Sequence, residues 1–193
     1  MDTRRELFEL LRADESTFRD RGREFLTSHD CADERRLAAL DAGPTAFDAP
    51  SELADETLSA RDWDLVWRCF VLDHAPLGVT ICGPAYRDTP ILSANRTMRD
   101  LTGYSLAELC GENPRLLQGP ETEPDAVADL AEAIEIWEPV TVDLWNYRRD
   151  GSRFRNRLSL VPLPDETGTV GNWAGVQEAV DPPVAERDGP TDC

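Results

Sequence analysis

Three carboxamides stand where a sheet should carry hydrocarbon. From Val140 to Arg148 the residues alternate, so Val142, Leu144 and Asn146 share one face. From Ser152 to Pro162 they alternate again: Phe154, Asn156, Leu158 and Leu160 share a face, and Arg153, Arg155 and Arg157 take the other. A last segment, Asn172 to Val180, adds Gln177, two residues beyond Gly175 on the same face. A buried amide without a partner costs about 1–3 kcal/mol, so three on converging strands need something to bond. Each offers a donor and an acceptor and carries no charge. An uncharged heterocycle with alternating acceptors and an N–H is a matching partner. The alternative is that the amides bond one another, the backbone or buried water. For a single amide that alternative is the better account; for three, beside a glycine, a bound ligand is favoured.

Other chemistry is harder to find. The five cysteines, Cys31, Cys69, Cys82, Cys110 and Cys193, form no C-x-x-C pair, and with only His29 and His74 no zinc-ligand spacing arises. No acid–base pair, nucleophile or second-substrate motif stands out, so an enzyme is not expected. Reduced thiols and a cytoplasmic location are the expectation.

Of 193 residues, 38 are acidic and 20 basic, a formal charge of -18. That argues against a nucleic-acid backbone or an anionic membrane as direct partner, and no apolar run approaches the roughly 18 residues that span a bilayer. All 20 basic residues are arginine. An acidic, lysine-free surface suits a salt-saturated cytoplasm, where the Debye length at molar salt is about 3 Å and like charges are screened. The source reads as a halophile, a haloarchaeon by preference, so the charge reports habitat rather than partners; an acidic protein from a GC-rich genome is the plainer alternative.

The elements that must position the amides follow from periodicity. Residues 1–72 form a helical extension. Leu7, Leu10 and Leu11, then Phe18, Phe25 and Leu26, then Leu37 and Leu40 before Gly43-Pro44 mark short helices that need a neighbour or a second copy to pack on. A further helix is expected over 51–73, capped by Ser51, with Trp63, Val66, Trp67, Phe70 and Val71 on its apolar stripe. Residues 73–180 read as strand (Gly78–Cys82), strand (Pro90–Ala94), short helices from Asn95, Ser105 and Pro124, then a three-strand meander turning at Asp150-Gly151 and Gly168–Gly171. This is an α+β domain with one five-stranded antiparallel sheet and helices on one face. The acidic, proline-bearing tail 181–193 is expected to be disordered.

The segment Gly111-Glu-Asn-Pro-Arg-Leu-Leu-Gln-Gly119 resembles the G-x-N-C-R-F-L-Q-G signature of LOV domains, the blue-light branch of the PAS family. Gly119-Pro-Glu-Thr, Asn146-Tyr-Arg-Arg-Asp-Gly151, Phe154-Arg-Asn156 and Gly175-Val-Gln177 resemble that family's other motifs, in order and spacing over roughly residues 73–180. The resemblance implies a PAS fold holding a flavin without a covalent bond: FMN, with FAD or riboflavin as alternatives. It implies that Asn146 and Asn156 bond the pyrimidine end of the ring and that Gln177 meets its N5 and O4. By the same resemblance Asn113 and Gln118 supply other polar contacts, Arg115 pairs with a ribityl phosphate, and Leu117, Leu158 and Leu160 line the ring.

Two departures matter. Pro114 stands where that family carries its photoactive cysteine, so the usual thiol adduct cannot form there. The family's second phosphate-binding arginine falls near Leu130, where this chain has Ala131. The function expected is therefore a light or redox sensor in which the flavin is photoreduced to the semiquinone by a nearby aromatic, Trp173 or Trp145 first, and Gln177 turns its amide in response. Cys82 and Cys110 are expected to be core residues rather than replacement thiols. A homodimer and an unidentified downstream protein are the expected partners. The competing reading is a PAS interaction module that has lost its cofactor.

Overall fold

The computed structural model describes residues 2–48 and 58–181. Helices α1 (Thr3–Arg12), α2 (Glu15–Ser28) and α3 (Glu34–Ala42) each begin on an aspartate, and Asp2, Asp14 and Asp33 accept the backbone N–H of Arg4, Thr17 and Arg36. Part of the acidity thus serves as caps, placed where the helix dipole favours negative charge. Helix α4 (Ala60–Val71) starts on a reciprocal box in which Ser59 Oγ takes the Asp62 N–H and the Asp62 carboxylate takes the Ser59 N–H. Ser51, the expected cap, lies outside the described residues, as does the tail beyond Asp181.

Strands β1 (Gly78–Cys82), β2 (Ile91–Ala94), β3 (Val140–Tyr147), β4 (Arg153–Pro164) and β5 (Val170–Ala179) form one antiparallel sheet in the order β2-β1-β5-β4-β3. Between β2 and β3 run α5 (Arg96–Thr102), α6 (Leu106–Leu109), a 3-10 turn over Pro114–Leu117, and α7 (Pro124–Ile136). Asn95 caps α5, and Ser105 with Glu108 forms the capping box on α6. The fold is the expected α+β architecture.

The strand period of two divides the sheet into two faces. Val79, Ile81, Val161, Leu163, Ala174 and Val176 point outward into one core with Leu7, Leu10, Leu11, Phe18 and Trp67 of the helical extension. The extension therefore finds its packing partner in the same chain: the outer sheet face. Burying each such side chain contributes about 1.5–3 kcal/mol. Arginines secure the seam. Arg4 donates through Nη1 to Val176 O at 2.6 Å and to Ser159 Oγ at 3.0 Å, and through Nη2 to Glu178 at 2.8 Å. Arg68, 2% exposed, donates to Leu10 O and Ala13 O at the end of α1 and to Asp64, with its guanidinium over the Phe18 ring. Within its own helix Leu10 O takes only the cap N–H of Ala13 at 3.2 Å, and a cation at the C-terminal end of a helix is favoured by its dipole.

Candidate functional site

The inner face is built differently. Register places Leu144 opposite Asn156, Asn156 opposite Ala179, Leu158 opposite Gln177, and Gln177 opposite Gly78. Three neighbouring strands thereby bring the amides into one chain of hydrogen bonds. Asn156 Nδ2 donates to Asn146 Oδ1 at 2.7 Å and to Gln177 Oε1 at 2.8 Å. Gln177 Nε2 donates to Thr80 Oγ1 at 3.0 Å, and Asn146 Nδ2 to Trp145 O at 3.2 Å. Asn156 is fully buried, yet its Oδ1 has no partner among the described residues. A buried acceptor left in that state carries a desolvation cost.

A cavity of about 240 Å³ opens beside this chain, a little below the roughly 300–1,000 Å³ usual for small-molecule sites. Eight of the nine site residues expected from sequence line it: Asn113, Arg115, Leu117, Gln118, Asn146, Leu158, Leu160 and Gln177. Asn156 does not; it sits behind the wall as the tie between Asn146 and Gln177. Thr80, Ile134 and Trp173 also line the cavity. Thr80 was legible only as an inward position on β1, because its role as acceptor for Gln177 depends on strand order.

Glycines shape the walls. A Cβ at Gly175 would press on Leu158 Cδ1 at 3.3 Å and touch Gln177 Nε2 at 3.5 Å. A Cβ at Gly119 would meet the Tyr147 ring at 2.3 Å. That close approach lets the loop after Gln118 lie on β3, where Thr122 Oγ1 donates to Trp145 O at 2.6 Å and accepts from Gly119 N at 2.9 Å.

The polar mouth is less free than the motif suggests. Asn113 caps the 3-10 turn through its Oδ1, which accepts from Arg115 N at 2.8 Å, and its Nδ2 bonds Asp88 O and Thr89 Oγ1. Arg115 is 62% exposed and paired with Asp88. It is the sole cation among the described residues of the lining, to which α7 contributes Ala131.

Of the two tryptophans weighed as electron sources, Trp173 lines the cavity and is 2% exposed. Trp145 alternates to the opposite face of β3, under Arg153 and Arg155 at 4.4 and 5.6 Å. Cys82 lines the cavity too, and burial pushes its thiol up to about 12, so it stays protonated and unreactive near neutrality. Cys110 lies outside the lining, with Sγ 3.6 Å from Leu92 O. Among the described residues no group of His, Cys, Asp and Glu is arranged to hold a metal, and no helix is long and apolar enough to cross a membrane.

Residues 76–178 match the family model described as PAS domain. The chain is 44% identical over 116 residues to the bacterioopsin transcriptional activator of Halobacterium salinarum, covering 60% of this chain and 17% of that protein. It is 40% identical over 111 residues to blue-light-activated histidine kinase 1 of Erythrobacter litoralis, covering 58% and 31%. The structure reported as "Flavin Analogue Sheds Light on Light-Oxygen-Voltage Domain Mechanism" is similar at 44% identity and a TM-score of 0.55, covering 57% of this chain and 82% of that one. The chain thus spans less than a third of the length of either curated relative.

Proposed function

The chain belongs to the PAS-domain family, and on that premise we propose that it is a flavin-binding sensor of blue light or redox state that works without an adduct-forming cysteine. One observation carries the reading: three carboxamides line or back one wall of a single cavity, and the fully buried Asn156 Oδ1 among them has no partner among the described residues. That donor and acceptor set fits the polar rim of a flavin. Asn146 and Gln177 would hold the rim, with Asn156 tying them from behind; Leu117, Leu158 and Leu160 would hold the ring faces, and Arg115 a phosphate. When bound, a flavin supplies blue-light absorption and one-electron redox chemistry. The similarity to light-oxygen-voltage domains supports the same reading.

The residues supply the rest. Trp173, walled into the cavity, is the aromatic placed to give up an electron. Gln177 now presents Oε1 to Asn156 and Nε2 to Thr80. If its amide turns over, two N–H groups face each other at Asn156. Asn156 then turns over about its Cβ–Cγ bond, and Asn146 must follow to donate to it. The three amides reverse together, while the Thr80 hydroxyl serves either orientation because it both donates and accepts. On the outer face, the residues flanking Gln177 are Val176 and Glu178, and Arg4 of α1 bonds both. A change at Gln177 therefore acts on the strand that holds the helical extension, and the output is a protein contact, to a second copy or a separate signalling protein.

A second reading is favoured by the same amides: bonded to one another, they already satisfy most of their own polar groups, as a cofactor-free interaction module would require. Absorption and EPR spectra of the purified protein, with FMN added and under anaerobic blue light, separate the two. A bound flavin whose illumination yields an unpaired-electron signal, lost in Trp173→Phe, is expected. A colourless protein that takes up no flavin sinks the sensor reading and leaves the module.

A further inference from the structure

A second cleft, of about 720 Å³, lies where the helical extension meets the domain helices, and it shares no lining residue with the amide cavity. Its walls come from α3 and α4 on one side and α5 and α6 on the other. Four arginines enter it, Arg35, Arg36, Arg96 and Arg99, in a chain whose formal charge is -18. Phe70 and Tyr104 supply aromatic surface.

The charges there do not close. Asp73, 7% exposed, accepts Arg99 Nη2 at 2.9 Å and Arg96 N at 2.7 Å through Oδ1, and pairs with Arg36 Nη2 through Oδ2. Arg36 also meets Asp33 at 3.2 Å, and Arg96 meets Asp100 at 2.9 Å. Arg35 has no carboxylate partner among the described residues; its guanidinium lies 5.0 Å from the centre of the Phe70 ring. Four guanidiniums thus face three carboxylates. The Nε–H groups of both Arg36 and Arg99 are buried without an acceptor among the described residues. Two buried N–H donors of cationic groups, in an arginine-lined cleft with surplus positive charge, call for an oxyanion. A bare oxyanion is small for the space, and the aromatic walls suit an apolar body attached to it.

We propose that this cleft is an effector site for a small organic oxyanion, a phosphate or carboxylate carrying a compact apolar group, which accepts from Arg36 and Arg99 and ties α3 and α4 to α5 and α6. The proposal stands independently of the flavin reading.

The test is titration of the full chain with phenyl phosphate, inorganic phosphate and benzoate at fixed ionic strength, followed by calorimetry and by the arginine Nε–H signals in nitrogen-edited NMR. Saturable binding of phenyl phosphate is expected, at least tenfold tighter than inorganic phosphate, with shifts at the Nε–H of Arg36 and Arg99 and a raised Tm. The benzoate arm separates carboxylate from phosphate as the preferred head group. Arg99→Gln should weaken binding at least tenfold and Arg35→Gln, at an exposed side chain, several-fold; Arg157→Gln, on β4 and outside the cleft lining, should leave it unchanged. Absence of saturable binding by all three probes overturns the proposal. So do shifts confined to other arginines, a reading that needs only the unsubstituted protein and holds even where Arg99→Gln fails to fold.

Discussion

Both faces of the sheet are buried, by opposite means. The outer face is closed with hydrocarbon from the helical extension, and Arg4 and Arg12 of α1 bond polar atoms of its strands. The inner face is walled by amides, keeps a cavity, and leaves one acceptor without a partner among the described residues. A filled face contributes stability and little else. A face with room and an unmet hydrogen-bond acceptor gives up stability, and under the proposed reading it does so for a ligand. Two faces of one strand, β5, therefore do different work one residue apart.

The comparison can be broken most sharply at its filled side. Leu11→Ala, at a fully buried position against the sheet, should lower the unfolding free energy by about 2–5 kcal/mol in urea denaturation. It should leave the flavin spectrum of the folded fraction unaltered. The inner face answers differently. Asn156→Leu keeps the branched shape, at a larger volume, but removes the donor shared by Asn146 and Gln177, so it should cost about 1–3 kcal/mol. It should also weaken flavin binding at least tenfold, read by fluorescence titration; unchanged affinity would place Asn156 in packing alone.

Smaller effects test the link between the faces. Arg4→Gln removes the ion pair with Glu178 and the bonds to Val176 O and Ser159. A loss of about 1–2 kcal/mol is expected, with faster proteolysis of α1 and no change in flavin affinity. At the cavity mouth, Arg115 is mostly exposed and already holds Asp88. Its preference for FMN over riboflavin should then be worth about 1 kcal/mol or less, roughly fivefold, and Arg115→Gln should erase it. The smallest effect lies in acid. Glu108 is held down to about 2 by the Ser105 backbone N–H and hydroxyl and by Arg149. A depressed carboxyl contributes stability that is complete above its ordinary value near 4.5 and is lost as pH falls through about 2. Thermal melts from pH 5 to 2 should therefore show a component that Glu108→Gln removes.

Much of this was legible in order along the chain. Strict alternation in β3 and β4 put Asn146, Asn156, Leu158 and Leu160 on one face before any coordinates, because the strand period is fixed by the backbone. The caps at Asn95 and Ser105 followed from local hydrogen bonding. What escaped depended on pairs far apart in sequence. Thr80 meets Gln177 only because β1 lies beside β5. Asn113 looked like a ligand contact, and part of its amide is spent on capping its own turn and holding Asp88 and Thr89.

By itself, then, the sequence determined local matters: where helices begin, which residues share a strand face, and that a proline occupies the motif's cysteine position. These depend on neighbours within a few residues. The tertiary structure decided which faces meet. It seated the helical extension on the outer sheet, linked three amides from three strands, and gathered two arginines of α3 and two of α5 into one cleft. Such contacts depend on strand order and packing, which no local spacing encodes.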